Sequence, residues 1–391
     1  MKSNLFIVGN GFDLACGLHS SYQDFFRSRM EEDVLKELEH FHKNYIAGTS
    51  KQSLNSIYFG SLKGPKRADF SKKDYEKSVN AKLSFWDVLF FIFDKNQGNK
   101  NWYDVENSIF SILNMIKLDE DYSDLGFKER PIPGVVRAGV RNKEKECFRE
   151  ALVLGYIVIP EDRFTNKQDI FDFLYSELLI FEADFTEYLI KEIDSQQGWY
   201  TTAVEDLLRT IVGSDILESN DYSVLSFNYT ASPALRDAAT NVHGTLMDRN
   251  IIFGIDQNAV GADTPLFRFT KTFRKMIQVI DPERNKTYIN DKDRLKKIIF
   301  YGHSLGEADY SYFQSIFDYY DIYASDIQLE FCCSTYGDKT SEEVLSDMSI
   351  LVGKLLSNYG PTMGNENRAK NILHKLMLEN RLHIREIPRY R

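Results

Sequence analysis

The chain has 391 residues, 43% hydrophobic and 27% charged, enough for one large core or two smaller ones, which excludes a disordered or collagen-like polymer. Its 48 Lys and Arg against 58 Asp and Glu leave a net charge of −10, which repels phosphate backbones and disfavours nucleic acid as a partner unless basic residues cluster. The longest uncharged apolar stretch, Ala151 to Pro160, has ten residues, short of the roughly 18 that span a bilayer, so no membrane partner is expected.

Leu5-Phe6-Ile7-Val8 predicts a short buried strand from residue 4, and the run is too short for a signal-peptide core. Cysteines at 16, 147, 332 and 333 show neither a Cys-x-x-Cys pair nor a disulfide framework, so a reducing, cytoplasmic location is expected. Gly9-Asn10-Gly11 then turns the chain into a helix beginning around Phe12. From about Tyr22 to Asp221, apolar residues recur at helical spacing, as in Phe25-Phe26, Val34-Leu35-Leu38, Phe85-Trp86-Leu89-Phe90 and Ile170-Phe173-Leu174-Leu178. Loops are expected at 63–67 and 131–134, and a strand or hairpin at 151–160.

After Asp221, short β-branched and aromatic runs return: Val224 to Phe227, Ile251 to Phe253, Ile298 to Tyr301, Ile327 to Cys333 and Leu382 to Ile387. Vicinal Cys332-Cys333 reads as part of a buried strand. Thr340 is placed to cap a helix reaching Leu356, and Asn367 to Leu378 predicts another. The expected fold is α/β, Rossmann-like, with a mainly parallel sheet and a large, mostly helical insertion after the first βα unit. Residues 1–27 and 222–391 would form a discontinuous nucleotide-binding domain, and 28–221 the insertion.

Three segments carry chemistry. Gly9-Asn10-Gly11-Phe12-Asp13-Leu14 lies where a strand-to-helix turn could cradle an anion, although the same turn needs glycine for purely conformational reasons, and Leu14 replaces the third glycine of a dehydrogenase fingerprint. Asn228, in Ser226-Phe227-Asn228-Tyr229-Thr230, ends a predicted strand at the edge where open α/β sheets bind ligands. His243 precedes Gly244 and could serve as a base or simply pack. Lesser candidates each have a plain alternative. His40 and His42 could form a metal pair or lie on a solvated face; Trp102, Asp104 and Glu106 could reach the site or pack and cap. His303 could touch a ligand or be structural. No ligand set for a structural metal is visible.

Together these pieces resemble the AbiH family of bacterial abortive phage-infection proteins. The hallmark strand followed by Gly-Asn-Gly-Phe-Asp-Leu is Ile7 to Leu14 here, continued by Gly17-Leu18-His19-Ser20-Ser21-Tyr22-Gln23-Asp24-Phe25. Trp102-Tyr103-Asp104-Val105-Glu106, Ser226 to Thr230, Val242-His243-Gly244 and Gly302-His303-Ser304-Leu305-Gly306-Glu307-Ala308-Asp309 follow in the family's order. The same order resembles a divergent sirtuin-type NAD-binding domain. Gly9, Gly11 and Gly17 are similar to its glycine spacing, Ser226-Phe227-Asn228 to its Thr-Gln-Asn, His243-Gly244 to its His-Gly, Ile251 to Asp256 to its Val-Phe-Phe-Gly-Glu, and Gly302 to Leu305 to its Gly-Thr-Ser-Leu. The sirtuin four-cysteine zinc module is missing, so protein deacylation is not expected.

The resemblance implies an antiphage effector with NAD as substrate or ligand. Gly9, Asn10, Gly11, Phe12, Asp13, Gly302, His303 and Ser304 would hold the nucleotide, while Asn228 and His243 would hydrolyse its N-glycosidic bond to nicotinamide and ADP-ribose. Asp13 or Asp256 could steady a cationic ribose or could be a solvated loop carboxylate. A phage-derived trigger and a homo-oligomer are compatible with the family, as are a non-catalytic nucleotide sensor acting through a partner and a toxin of other chemistry.

Overall fold

The computed structural model describes residues 2–30, 83–87, 89–90, 104–118, 167–230, 238–257, 260–278, 291–364 and 366–388, together with Glu32, Lys36, Leu235 and Ile289. The expected loops at 63–67 and 131–134, the strand at 151–160, His40, His42 and Trp102 lie outside the described residues. The chain divides into two compact units, one of 1–21, 186–252 and 275–391, the other of 22–185 and 253–274.

The first unit is built on six parallel strands: β1 (Asn4–Val8), β2 (Tyr222–Ser226), β3 (Ala239–Asn241), β4 (Lys297–Tyr301), β5 (Gln328–Cys333) and β6 (Leu382–Glu386). Their order is β3-β2-β1-β4-β5-β6. Central strands of a parallel sheet are covered on both faces, so they are rich in apolar residues, and β1 is buried at every position. Val8 pairs with Ser226 on one side and Tyr301 on the other, which brings the ends of β1, β2 and β4 level at one edge.

Helices α1 (Asn10–Ala15) and α2 (Tyr22–Arg29) follow β1, with α3 (Asp104–Leu118), α4 (Lys167–Val212) and α5 (Ser214–Glu218) before β2. Later come α6 (Lys271–Ile277), α7 (Tyr310–Tyr319), α8 (Ser341–Tyr359) and α9 (Glu366–Leu378). One face of the sheet, with Leu5, Ile7, Leu225, Phe300 and Phe331, packs on Phe313 and Phe317 of α7, Leu355 and Leu356 of α8 and Leu376 of α9. The opposite face, with Phe6, Val8, Val224 and Ile299, packs on Phe12 of α1 and on Tyr200, Val204 and Leu207 of α4. Helix α8 starts where its sequence predicts. Thr340 Oγ1 accepts from the Glu343 amide at 3.3 Å, and the Glu343 carboxylate accepts from the Thr340 amide at 2.8 Å, a complete capping box.

Ile251 to Phe253 corrects one strand expectation. These residues are buried but join no ladder: the Ile252 amide donates to the His243 carbonyl, and that of Phe253 to the Glu182 carboxylate. Apolar burial without alternation does not separate a strand from a covered loop. Strand β3 was not foreseen, because Ala-Thr-Asn carries no apolar signal.

In the second unit, Phe25, Phe181, Phe185 and Phe253 form edge-to-face ring pairs around a core that also buries charge. Arg274 holds Glu182 through two bonds of 2.9 and 2.6 Å, and Arg29 lies 2.9 Å from Asp87 and 2.7 Å from Asp184. Burial pushes the Asp184 carboxyl up to about 6. Glu106 holds Lys271 at 2.7 Å and accepts from the Gly254 amide, so it has a structural place inside this unit.

Candidate active site

The strand order reverses between β1 and β4, and in open α/β sheets the carboxyl ends of the strands flanking such a point border the ligand crevice. Here the loops after those two strands are stitched together. The Gly9 amide donates to the Tyr301 carbonyl at 3.1 Å, and the Gly11 amide to that of Gly302 at 2.7 Å. Gly302 has φ +70°, and a Cβ placed on it would lie 2.3 Å from the Phe12 nitrogen. Glycine is therefore required for backbone-to-backbone contact, and two amides expected to meet a ligand are engaged within the turn. Phe12 turns its ring into the core, 5.9 Å from Phe6 and 6.0 Å from Tyr301 between ring centres.

Two polar clusters stand at this edge. In the first, Asp309 Oδ1 accepts from His243 Nε2 at 2.8 Å and Oδ2 from His303 Nε2 at 3.2 Å. His303 Nδ1 accepts the Leu305 amide at 2.9 Å, which fixes its proton on Nε2. Both imidazoles pack edge-on against Phe227, at 5.4 Å for His243 and 4.7 Å for His303. Asp309 was not foreseen as a functional residue. It is the N-cap residue of α7, yet its carboxylate makes no capping bond and faces the histidines instead. Its only sequence signal was its place closing the Gly302 to Asp309 motif.

The second cluster centres on Asp13, which is 2% exposed and so corrects the reading of a solvated loop carboxylate. It accepts from Tyr200 Oη at 2.8 Å and Thr230 Oγ1 at 2.6 Å. Burial outweighs these donors and pushes the carboxyl up to about 6. The backbone of Asn228 is tied on both sides: its amide donates to Ser226 Oγ at 3.2 Å, and its carbonyl accepts from Asn241 Nδ2 at 2.7 Å. Its Oδ1 is buried with no hydrogen-bond partner among the described residues, as is Asn10 Nδ2, whose own Oδ1 accepts from Ser20 Oγ at 2.7 Å. An unsatisfied buried acceptor costs about 1–3 kcal/mol, so a site that presents one is suited to a ligand that donates.

The sequence-predicted residues thus divide. Asn228 stands two residues before Thr230, which donates to Asp13 beside the α4 face, and His243 joins His303 and Asp309 beside α7, both at the carboxyl edge. Ser304 is partly exposed in the β4 loop. Asp256 belongs to the second unit. Among the described residues, no group of three or more His, Cys, Asp or Glu is arranged to hold a metal, and no helix is long and apolar enough to cross a membrane.

A six-stranded parallel sheet in this order, with polar clusters at its carboxyl edge, defines an α/β Rossmann-like protein. Residues 5–330 match the family model described as bacteriophage abortive infection AbiH, and the chain belongs to that family. Its role accordingly lies in the abortive response to phage infection. Comparison with curated proteins gives no match, and comparison with solved structures gives none.

Proposed function

We propose that the protein is an abortive-infection effector that binds NAD and hydrolyses its N-glycosidic bond to nicotinamide and ADP-ribose. The observation that carries this reading is the pairing, at one sheet edge, of a buried Asn228 acceptor with a histidine, His243, held by a carboxylate. The ordered likeness to sirtuin-type motifs supports the same substrate. An N-glycosidic bond breaks through an oxocarbenium-like state, so the site must hold ribose hydroxyls and water and tolerate positive charge. Asn228 Oδ1 accepts from a hydroxyl or the attacking water without itself carrying charge. Asp309 accepts a hydrogen bond from His243 Nε2–H, leaving Nδ1 as the basic nitrogen, in the manner of a base oriented by a third group. The C1′–N1 electron pair leaves with nicotinamide, the water oxygen bonds C1′, and His243 takes the released proton. Asp13, ionised above about 6, stabilises the cationic ribose electrostatically.

The test is made in cells. Bacteria carrying the chain are infected with phage to which it confers protection, and NAD is followed beside cells carrying His243→Ala. NAD should collapse only with the unsubstituted chain. Protection with undiminished NAD would overturn the reading.

A further inference from the structure

Among the described residues, two buried polar atoms at the carboxyl edge of the first unit have no hydrogen-bond partner and complement one another: Asn10 Nδ2 donates and Asn228 Oδ1 accepts. They stand on neighbouring strand ends. Strands β1 and β2 pair up to Val8 and Ser226, the Phe227 amide donates to the Val8 carbonyl at 2.9 Å, and each asparagine lies two residues beyond the last pair. One helical turn past Asn10, Asp13 accepts from Thr230 Oγ1 at 2.6 Å, so the face of α1 that carries both residues runs along 228–230. Both asparagines are held in place. Asn10 Oδ1 accepts from the buried Ser20 hydroxyl at 2.7 Å, which keeps Nδ2 for another group. The Asn228 backbone is tied to Ser226 and to Asn241, whose Nδ2 also donates to the Thr230 carbonyl at 3.0 Å.

A buried donor and a buried acceptor that do not relieve one another cost free energy twice, so the pair is fitted to a group that accepts from one and donates to the other. A phosphate accepts only and leaves Asn228 unmatched. Neighbouring hydroxyls each donate, accept and rotate to suit. We propose that Asn10 and Asn228 together hold the 2′,3′-diol of the ribose beside the scissile bond, one hydroxyl accepting from Nδ2 and the other donating to Oδ1, with Asn10 as a specificity-determining residue. This deepens the NAD reading and rests on it for the identity of the ligand. The site then rejects a ribose that lacks either hydroxyl, because the matching asparagine is left buried and unpaired.

The test is calorimetry of the full-length protein with ADP-ribose, which keeps that ribose, lacks the nicotinamide carboxamide and has no bond to nicotinamide left to cleave. Affinity should fall about 10-fold or more in Asn10→Ala and in Asn228→Ala, and the unsubstituted protein should bind ADP-ribose lacking the 2′- or the 3′-hydroxyl of that ribose about 10-fold or more weaker. The analogues also assign the pair. One deoxy compound should lose nothing further in Asn10→Ala, and the other nothing further in Asn228→Ala. Ser20→Ala keeps both asparagines but releases the Asn10 amide, and should weaken binding by a smaller factor; it serves if thermal unfolding shows that Asn10→Ala does not fold.

Unchanged ADP-ribose affinity in Asn10→Ala would mean that Asn10 holds water alone and would overturn the proposal, as would a failure of the unsubstituted protein to bind ADP-ribose. NAD affinity, measured in His243→Ala so that NAD stays intact, that depends on Asn10 while ADP-ribose affinity does not would assign the pair to the carboxamide and overturn it equally. Nicotinamide release judges the NAD reading separately. Binding of ADP-ribose that depends on Asn10, without release from NAD, leaves the diol site standing and sinks NAD hydrolysis. Release by a chain whose ADP-ribose binding ignores Asn10 sinks the diol site alone.

Discussion

His243 Nε2 lies 2.8 Å from Asp309 Oδ1, joining the chain just beyond β3 to the first residue of the α7 cap. The contact spends a residue type suited to capping on orienting an imidazole, at some cost to the helix start. The same carboxylate receives His303, so one aspartate fixes two rings against Phe227.

Asp309→Asn should therefore lower nicotinamide release about 100-fold or more, with KM changed by less than about threefold. Thermal unfolding measured on the same samples separates orientation from folding. Retained turnover would remove Asp309 from the machinery.

The β1 and β4 loops meet backbone to backbone, and a side chain at Gly302 meets Phe12 nitrogen at 2.3 Å in a left-handed conformation. Gly302→Ala should cost more than about 2 kcal/mol by denaturant titration. Gly337 shares a positive φ, +56°, but has open space around it, so Gly337→Ala should cost about 1 kcal/mol and isolates the clash from the strain.

Asp13 gives a stability signature against pH. Its folded pKa of about 6 lies above the unfolded carboxyl value, so the native state binds the proton more tightly. Its penalty is absent below the unfolded value, grows as pH rises, and is complete above about 6, where it reaches about 3 kcal/mol. Unfolding free energies from pH 4 to 7 should thus fall for the unsubstituted protein relative to Asp13→Asn. A parallel pair of curves would show that the carboxylate titrates normally.

In the second unit, Arg274→Met leaves Glu182 buried without its bidentate partner and should destabilise by about 3–5 kcal/mol in equilibrium unfolding. Glu182 also accepts the Phe253 amide, so adding Glu182→Leu should recover only part of the loss.

Much of the first unit was legible because strands buried on both faces write their burial directly into the sequence. Leu5 to Val8 and Ile298 to Tyr301 are unbroken apolar runs, Ile327 to Cys333 is interrupted only by Gln328 and Glu330, and the structure makes strands of them with ends shifted by a residue or so. Ala239–Asn241 was not legible, since a three-residue strand at the sheet end is specified by its neighbour β2 rather than by its own side chains. Glycine spacing pointed to the turn at Gly9 and Gly11, but its cause is Gly302, nearly 300 residues on. The burial of Asp13 was not legible because it depends on Tyr200 and Thr230, two residues distant in sequence and joined to it only by the fold. Asn228 was legible as a residue at a strand end, His243 by its place before Gly244, and Asp13 as a candidate ligand contact; Asp309, the partner of His243, was not.

The central claim is tested most directly by nicotinamide release from NAD by the purified full-length chain, beside His243→Ala and Asn228→Ala, with NAD binding followed by calorimetry on the same samples. The account predicts release by the unsubstituted protein, loss of about 100-fold or more in each variant, and binding that survives in His243→Ala. Binding without release in the unsubstituted protein, or release that persists in both variants, would contradict it.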